Sequence, residues 1–318
     1  MNFIEMVFFQ LYSVLQWYFR PFIKWFLRKT TRLCELQRIC YGDRVGAQRT
    51  CNIENSLMLS RTKDVKEVVT FLDAVVKERR FIPSNFYQFL EPSINIIIRV
   101  KKINRKIHDA FIPSFRLCLQ QIWCYRQLIE EVEDLRCTQF DSNNSSHEEK
   151  LLNLWNLMVP DKPLEARVSK DWQYIGFQGD DPKTDFRGMG LLGLENLLYF
   201  VIEYPQVATH VLSHSRHPKY GYTYAIVGIN LTSMAYYLLK DGSAKTYMFN
   251  SKPHLPNINL FHKFYCYLFY EFDKLWIASK PENIMEFSMI FKKFENAIRT
   301  ELADPASVFR INVEVDTI

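Results

Sequence analysis

Val65, Val68, Val69, Leu72, Val75 and Val76 recur every three or four residues across 62–79, which places them on one face of a helix and their charged neighbours on the other. The same period returns at about 94–107, 114–134, 148–158, 190–203, 222–240, 258–278 and 282–302. No comparable stretch alternates apolar and polar residues with the period of two that a half-buried strand needs. The pattern predicts an all-α chain. With 48% hydrophobic residues among 318, that chain can bury a sizeable core.

Breakers and linkers divide the chain. Pro160, Pro163, Pro182, Pro205, Pro218, Pro253 and Pro256 punctuate the second half at expected helix ends. The polar run "DSNNSSHEE" at 141–149 reads as a linker closed by a capping box, Ser146 with Glu149. Residues 222–239 carry no charge, yet Gly228, Asn230, Thr232 and Ser233 make them too polar for a lipid-exposed span, so a buried central helix is expected. The organisation read from these features is a segment at 1–33, a helical region at 34–114, a larger helical domain at 115–302 and a tail at 303–318.

The charge is unevenly placed. Formal net charge is +5, but residues 1–33 hold Arg20, Lys24, Arg28, Lys29 and Arg32 against Glu5 alone, leaving +1 for the rest. A nearly neutral body argues against nucleic acid as a partner. The segment itself, "FIEMVFFQLYSVLQWYF" followed by "FIKWFLRK", faces a membrane in this reading, with an N-terminal core helix as the alternative: it is short for a span, and aromatics beside Lys and Arg suit the headgroup boundary. If the segment does span, the basic cluster C-terminal to it would keep the body on the cytosolic face of an intracellular membrane, with endoplasmic reticulum, lipid droplet and mitochondrion all compatible. Seven cysteines without a C-x-x-C pair fit reduced thiols.

Most constellations that carry chemistry fail on context. Gly188, Gly190 and Gly193 have the G-x-G-x-x-G spacing, but the polar "QGDDPKTDFR" before them is no buried strand, so a dinucleotide loop is not expected and the glycines read as packing or turn positions. His210, His214 and His217 lack the glutamate of a zinc-binding helix, and no metal is assigned. No nucleophile elbow or Walker A sequence is present. Arg187 remains, an arginine in a loop rich in Gly, Asp and Pro. Either Asp180, Asp181 or Asp185 pairs with it and fixes the loop, or it is a guanidinium presented to a partner's phosphate; residue chemistry leaves both open.

Trp172, Ile175, Gly176, Phe177, Gln178, Pro182, Thr184, Asp185, Arg187, Gly188 and Gly190 together resemble the signature W-x-x-x-[IV]-G-F-Q-x-x-x-P-x-T-D-x-R-G-x-G of the ELMO domain family. The resemblance continues through "HPKYGYTYAIVGINLTSMAYYLLK" and "FHKFYCYLFYEFDKLW", covering about 115–300, while "CELQRICY" and "GAQRT" are similar to the short, single-domain members. It implies an all-α, multi-helix ELMO domain with additional N-terminal helices. For the short members it implies GTPase activation: the signature arginine, here Arg187, is supplied to a GTP-bound Arf or Arf-like GTPase. GTP and Mg²⁺ then belong to the partner, and this chain, not itself an enzyme, needs no cofactor. Asp185 and Thr184 would shape the loop with Asp181 and Pro182, Gly188 and Gly190 would allow close approach, and Trp172, Gly176 and Phe177 would be structural. Gln178 would either orient the attacking water or bond backbone. The longer scaffolds of the family depart from the signature at the arginine, so the alternative is a non-catalytic adaptor.

Overall fold

The computed structural model describes residues 19, 21–80, 85–251 and 255–311. Most of the expected membrane-facing stretch, 3–18 and Arg20, lies outside the described residues, as does Pro253. Every regular element among the described residues is an α- or 3-10 helix, as the helical period requires.

The chain divides into two units, 1–122 and 123–318. In the first, helical residues 21–31 (α1) precede α2 (Glu35–Gly42), α3 (Ala47–Met58), α4 (Lys63–Lys77) and α5 (Phe86–Lys101), and α6 (Phe111–Cys137) begins here and ends in the second unit. The valine stripe of α4 is buried throughout and packs against α5, where Leu90, Ile94 and Ile97 lose all exposure. α5 starts earlier than its stripe suggests and runs through Pro92. An interior proline costs about 3 kcal/mol, which the buried face of α5 outweighs. α3 shows no apolar stripe because half of its inward face is polar: Thr50 and Ser56 are buried beside Ile53 and Leu57, and the Thr50 hydroxyl donates to Gln121 Oε1 at 2.5 Å.

The second unit holds α7 (Ser145–Met158), 3-10 helices at Lys170–Ile175 and Pro182–Arg187, α8 (Gly190–Glu203), α9 (Pro205–Ser215), α10 (Tyr224–Lys240), α11 (Lys245–Asn250), α12 (Ile258–Ser279), a 3-10 turn at Ile284–Glu286 and α13 (Phe287–Ala303). α8 is apolar around nearly its whole circumference, so it sits in the middle, covered by α7, α9, α10 and α12. α10, uncharged up to Lys240 at its end, is largely buried, the interior helix its composition predicts. No helix among the described residues is long and apolar enough to cross a membrane. The cap of α7 differs from expectation. Asn144, in extended backbone, accepts from the Ser146 N–H at 3.0 Å, so Ser146 lies inside the first turn and the Ser146/Glu149 box does not form. Asn caps as well as Ser, and it comes first in the chain.

A polar seam ties three central helices together. Asn196 on α8 donates its amide to Thr232 Oγ1 on α10 at 3.1 Å, which leaves its carbonyl oxygen to accept from His262 Nδ1–H on α12 at 2.6 Å. Burial pushes the His262 pKa down to about 4. Below the ordinary histidine pKa the unfolded chain takes up a proton that the folded chain refuses until about pH 4, so His262 withdraws stability as pH falls across that window. The loss reaches on the order of 3 kcal/mol near pH 4. His214 acts with the opposite sign: its bond to Asp273 Oδ2 at 2.7 Å raises its pKa, and that contribution, present at low pH, is lost as pH rises through the folded value. Unfolding followed by denaturant from pH 7 to pH 4.5 should therefore show a smaller acid loss in His262→Gln than in wild type. Equal slopes would show that His262 is not held neutral.

Candidate functional site

Residues 159–189 connect α7 to α8, a connection too long to hold one shape without internal support. Aromatic rings supply that support. Trp155 of α7 meets Trp172 edge-on at 5.4 Å, Trp172 meets Phe177 at 5.7 Å, Phe177 meets Phe186 at 5.6 Å, and Phe186 stacks on Phe140 at 5.9 Å. Trp155, Trp172, Phe177 and Phe186 are at most 2% exposed. Each indole also spends its N–H on the connection, Trp155 donating to Lys162 O at 2.9 Å and Trp172 to Arg167 O at 3.0 Å. Gly176 ends the first 3-10 helix at φ +84°, where a Cβ would stand 2.3 Å from Tyr224 N. Only glycine fits there.

The carboxylates of Asp181 and Asp185 are already engaged. Asp181 caps the second 3-10 helix by accepting from the Lys183 N–H at 3.0 Å, and it also accepts from Arg167 Nη1 at 3.0 Å. Burial alone would raise its pKa, but these donors hold it below the usual carboxylate range. Arg167 is clamped on its other edge by Glu148 and lies over the Phe140 ring at 5.7 Å. Asp185 Oδ2 accepts from the Gln178 N–H at 3.0 Å, and burial pushes its carboxyl up against that bond and the nearby charge of Arg187. Thr184 Oγ1 donates to Asp181 O at 3.1 Å, and Pro182 occupies the first helical position, where its fixed φ suits the turn.

Arg187 closes this second 3-10 helix. Phe186, fully buried, drives its own side chain inward, and the next residue points out: Arg187 is exposed and makes no hydrogen bond or ion pair to a described residue. Neither Asp180, Asp181 nor Asp185 pairs with it, so the loop-fixing salt bridge falls to Arg167 instead. A Cβ added at Gly188 would meet nothing within 4 Å. The result is a guanidinium with all its donors unspent, on a pinned turn, beside a position with no side chain to obstruct an approaching surface.

The ELMO/CED-12 family model matches residues 130–291, which includes the whole of this connection. ELMO domain-containing protein 2 of Homo sapiens is 47% identical over 287 residues, 90% of this chain and 93% of that protein. The chain belongs to the ELMO/CED-12 family. ELMO domain-containing protein 1 of Mus musculus is 45% identical across 89% of the chain and 88% of its own length, and ELMO domain-containing protein B of Dictyostelium discoideum is 32% identical across 86% and 92%.

Within the ELMO domain the expected role of Gly190 changes. Gly190 does not serve close approach of a partner: at φ +52° its missing Cβ makes room for Arg136 O at 2.3 Å and Thr138 O at 2.5 Å, so it packs the start of α8 against the end of α6. Gln178 shapes the loop through its main chain, while its side chain is exposed and bonds no described residue. Gly193 packs against Phe186, a packing position as read from sequence. The three histidines have structural uses: His214 bonds Asp273, His210 packs on His214 at 4.1 Å, and His217 accepts the Lys219 and Tyr220 N–H groups. Arg167 and Glu148, which hold the site, escaped the sequence reading because nothing local marks their pairing across the connection.

Proposed function

We propose that this ELMO domain activates Arf or Arf-like small GTPases by supplying Arg187 in trans to the nucleotide site of the GTP-bound partner. One observation carries the reading: Arg187 is an exposed, unspent guanidinium at the end of a turn whose other charges are all engaged. Charge spreads over the phosphoryl oxygens as the γ-phosphate transfers, and a planar guanidinium can contact two of them at once. Asp181, Asp185, Thr184 and Pro182 act as positioning residues for the turn, and Gly188 leaves the approach open. GTP and Mg²⁺ are the partner's. A single-turnover GTP hydrolysis assay across Arf and Arf-like proteins tests the reading and names the substrate; binding without acceleration would assign the chain to the adaptor class.

The N-terminal segment is proposed to lie in a membrane interface on the cytosolic side. Its described part supports this: Phe22, Ile23, Trp25 and Phe26 of α1 are exposed, and Lys29 lies over the Trp25 ring at 5.2 Å. No residue from 21 to 33 is buried. Removing residues 1–33 should therefore abolish sedimentation with membranes while the melting temperature of the remainder stays within a few degrees. A truncated chain that still sediments fully, or that unfolds, would contradict this.

A further inference from the structure

We propose that a basic cavity in the N-terminal unit binds the phosphomonoester of an anionic lipid headgroup. The cavity, about 240 Å³, is lined by Lys24 and Arg28 of α1, Arg61 and Thr62 before α4, and Lys101 at the end of α5, with Glu35 the one carboxylate among the lining residues. Glu35 is engaged by Lys24 and by the Ser56 hydroxyl, which donates at 2.5 Å. Arg28 Nη2 donates to Lys101 O at 3.1 Å, which draws the last turn of α5 onto α1 and leaves the rest of the guanidinium fork available.

Lys101 shows what the cavity lacks. Its ammonium is half-buried, has only the Thr62 hydroxyl at 3.4 Å as hydrogen-bond partner, and forms no ion pair with a described residue. Burial is the main cause lowering its pKa; Lys24 and Arg28 lower it further, while Cys34 and the Glu35 carboxylate oppose them without reversing the shift. A half-buried cation among cations is costly unless an anion joins them. A phosphomonoester carries close to two negative charges near neutral pH and oxygens pointing in several directions, which matches an ammonium and a guanidinium converging from different helices.

The source of that phosphate follows from α1. The helix that turns Lys24 and Arg28 to the cavity exposes Phe22, Ile23, Trp25 and Phe26, so a membrane surface that receives those aromatics brings headgroups to the cavity mouth. This assignment rests on the interfacial reading of the N-terminal segment.

The test uses the full chain in vesicle flotation with phosphatidylcholine alone and with phosphatidylcholine containing phosphatidic acid. Wild type should bind both and prefer the second, and Lys101→Gln and Arg28→Gln should each lose about fivefold of the preference, the effect of one cation at a membrane surface. Lys77→Gln, at the far end of α4, should lose almost none, and Lys101→Arg should restore it; melting curves identify variants that fold. Equal binding to both vesicles, or equal losses in Lys77→Gln and Lys101→Gln, overturns the cavity while leaving the interfacial reading intact. No binding to either vesicle removes the interfacial reading and the lipid with it. If inorganic phosphate then raises the melting temperature of wild type but not of Lys101→Gln, the cavity holds free phosphate and the lipid assignment is wrong.

Discussion

Arg187→Lys is expected to remove stimulated hydrolysis almost entirely and leave the melting temperature unchanged. A trans-supplied arginine contributes about 10³- to 10⁵-fold to the rate, or roughly 4–7 kcal/mol of barrier. Lysine keeps the charge and loses the flat, two-pronged fork, so it should recover little of that factor. Stability should be indifferent because the side chain is exposed and touches no carboxylate. Arg187→Ala should behave the same way. A structural arginine predicts the reverse, with Lys partly active and Ala less stable. Rates and melting curves on the same two variants separate these cases, and a near-normal rate in either folded variant would remove Arg187 from catalysis.

Phe186→Ala should lower stability and stimulated hydrolysis together. The ring is fully buried between Phe177 and Phe140, at 5.6 and 5.9 Å, and its Cδ1 lies 3.3 Å from where a Cβ on Gly193 would stand, so truncation opens a cavity at the root of the turn. The cost should be about 3–5 kcal/mol, a fall in melting temperature on the order of 10 °C for a unit of this size. Below that temperature the folded variant should still activate poorly, because Arg187 is attached to an anchor that no longer fixes its position. Phe186→Leu, which keeps much of the volume, should recover most of the stability. Thermal unfolding and hydrolysis at a temperature where the variant is folded check both halves; an unaltered melting temperature would mean that the aromatic chain does not support the loop.

The contrast between these residues marks what a sequence can disclose. α4, α7, α8, α10 and α12 were legible because each buries a wide apolar face whose period survives in the residue order, with prolines and glycines near the ends. α3 was not, because Thr50 and Ser56 face inward and erase the stripe. α5 was placed too late because its stripe is read only from Ile94 onward, while the helix starts at Phe86 and tertiary burial sustains it through Pro92. The signature loop stood out as a string, yet sequence could not decide what Arg187 touches. That depended on long-range pairing: Arg167, fourteen positions before Asp181 and nineteen after Glu148, bonds both of those carboxylates, while Arg187 bonds none. Long-range pairing of this kind leaves no periodic trace. Glycines were ambiguous for a related reason: Gly188 and Gly190 look alike in sequence, but one faces open space and the other the carbonyls at the end of α6.

The central claim is that this chain accelerates a chemical step on another protein. Its most direct test is the single-turnover rate constant for γ-phosphate release from a GTP-loaded Arf-like GTPase as the wild-type chain is titrated to saturation. The account predicts a rate that rises to a plateau about 10³-fold or more above the intrinsic value, and a flat line when Arg187→Lys is titrated over the same range. Saturable binding of the wild-type chain with no change in that rate constant would contradict it.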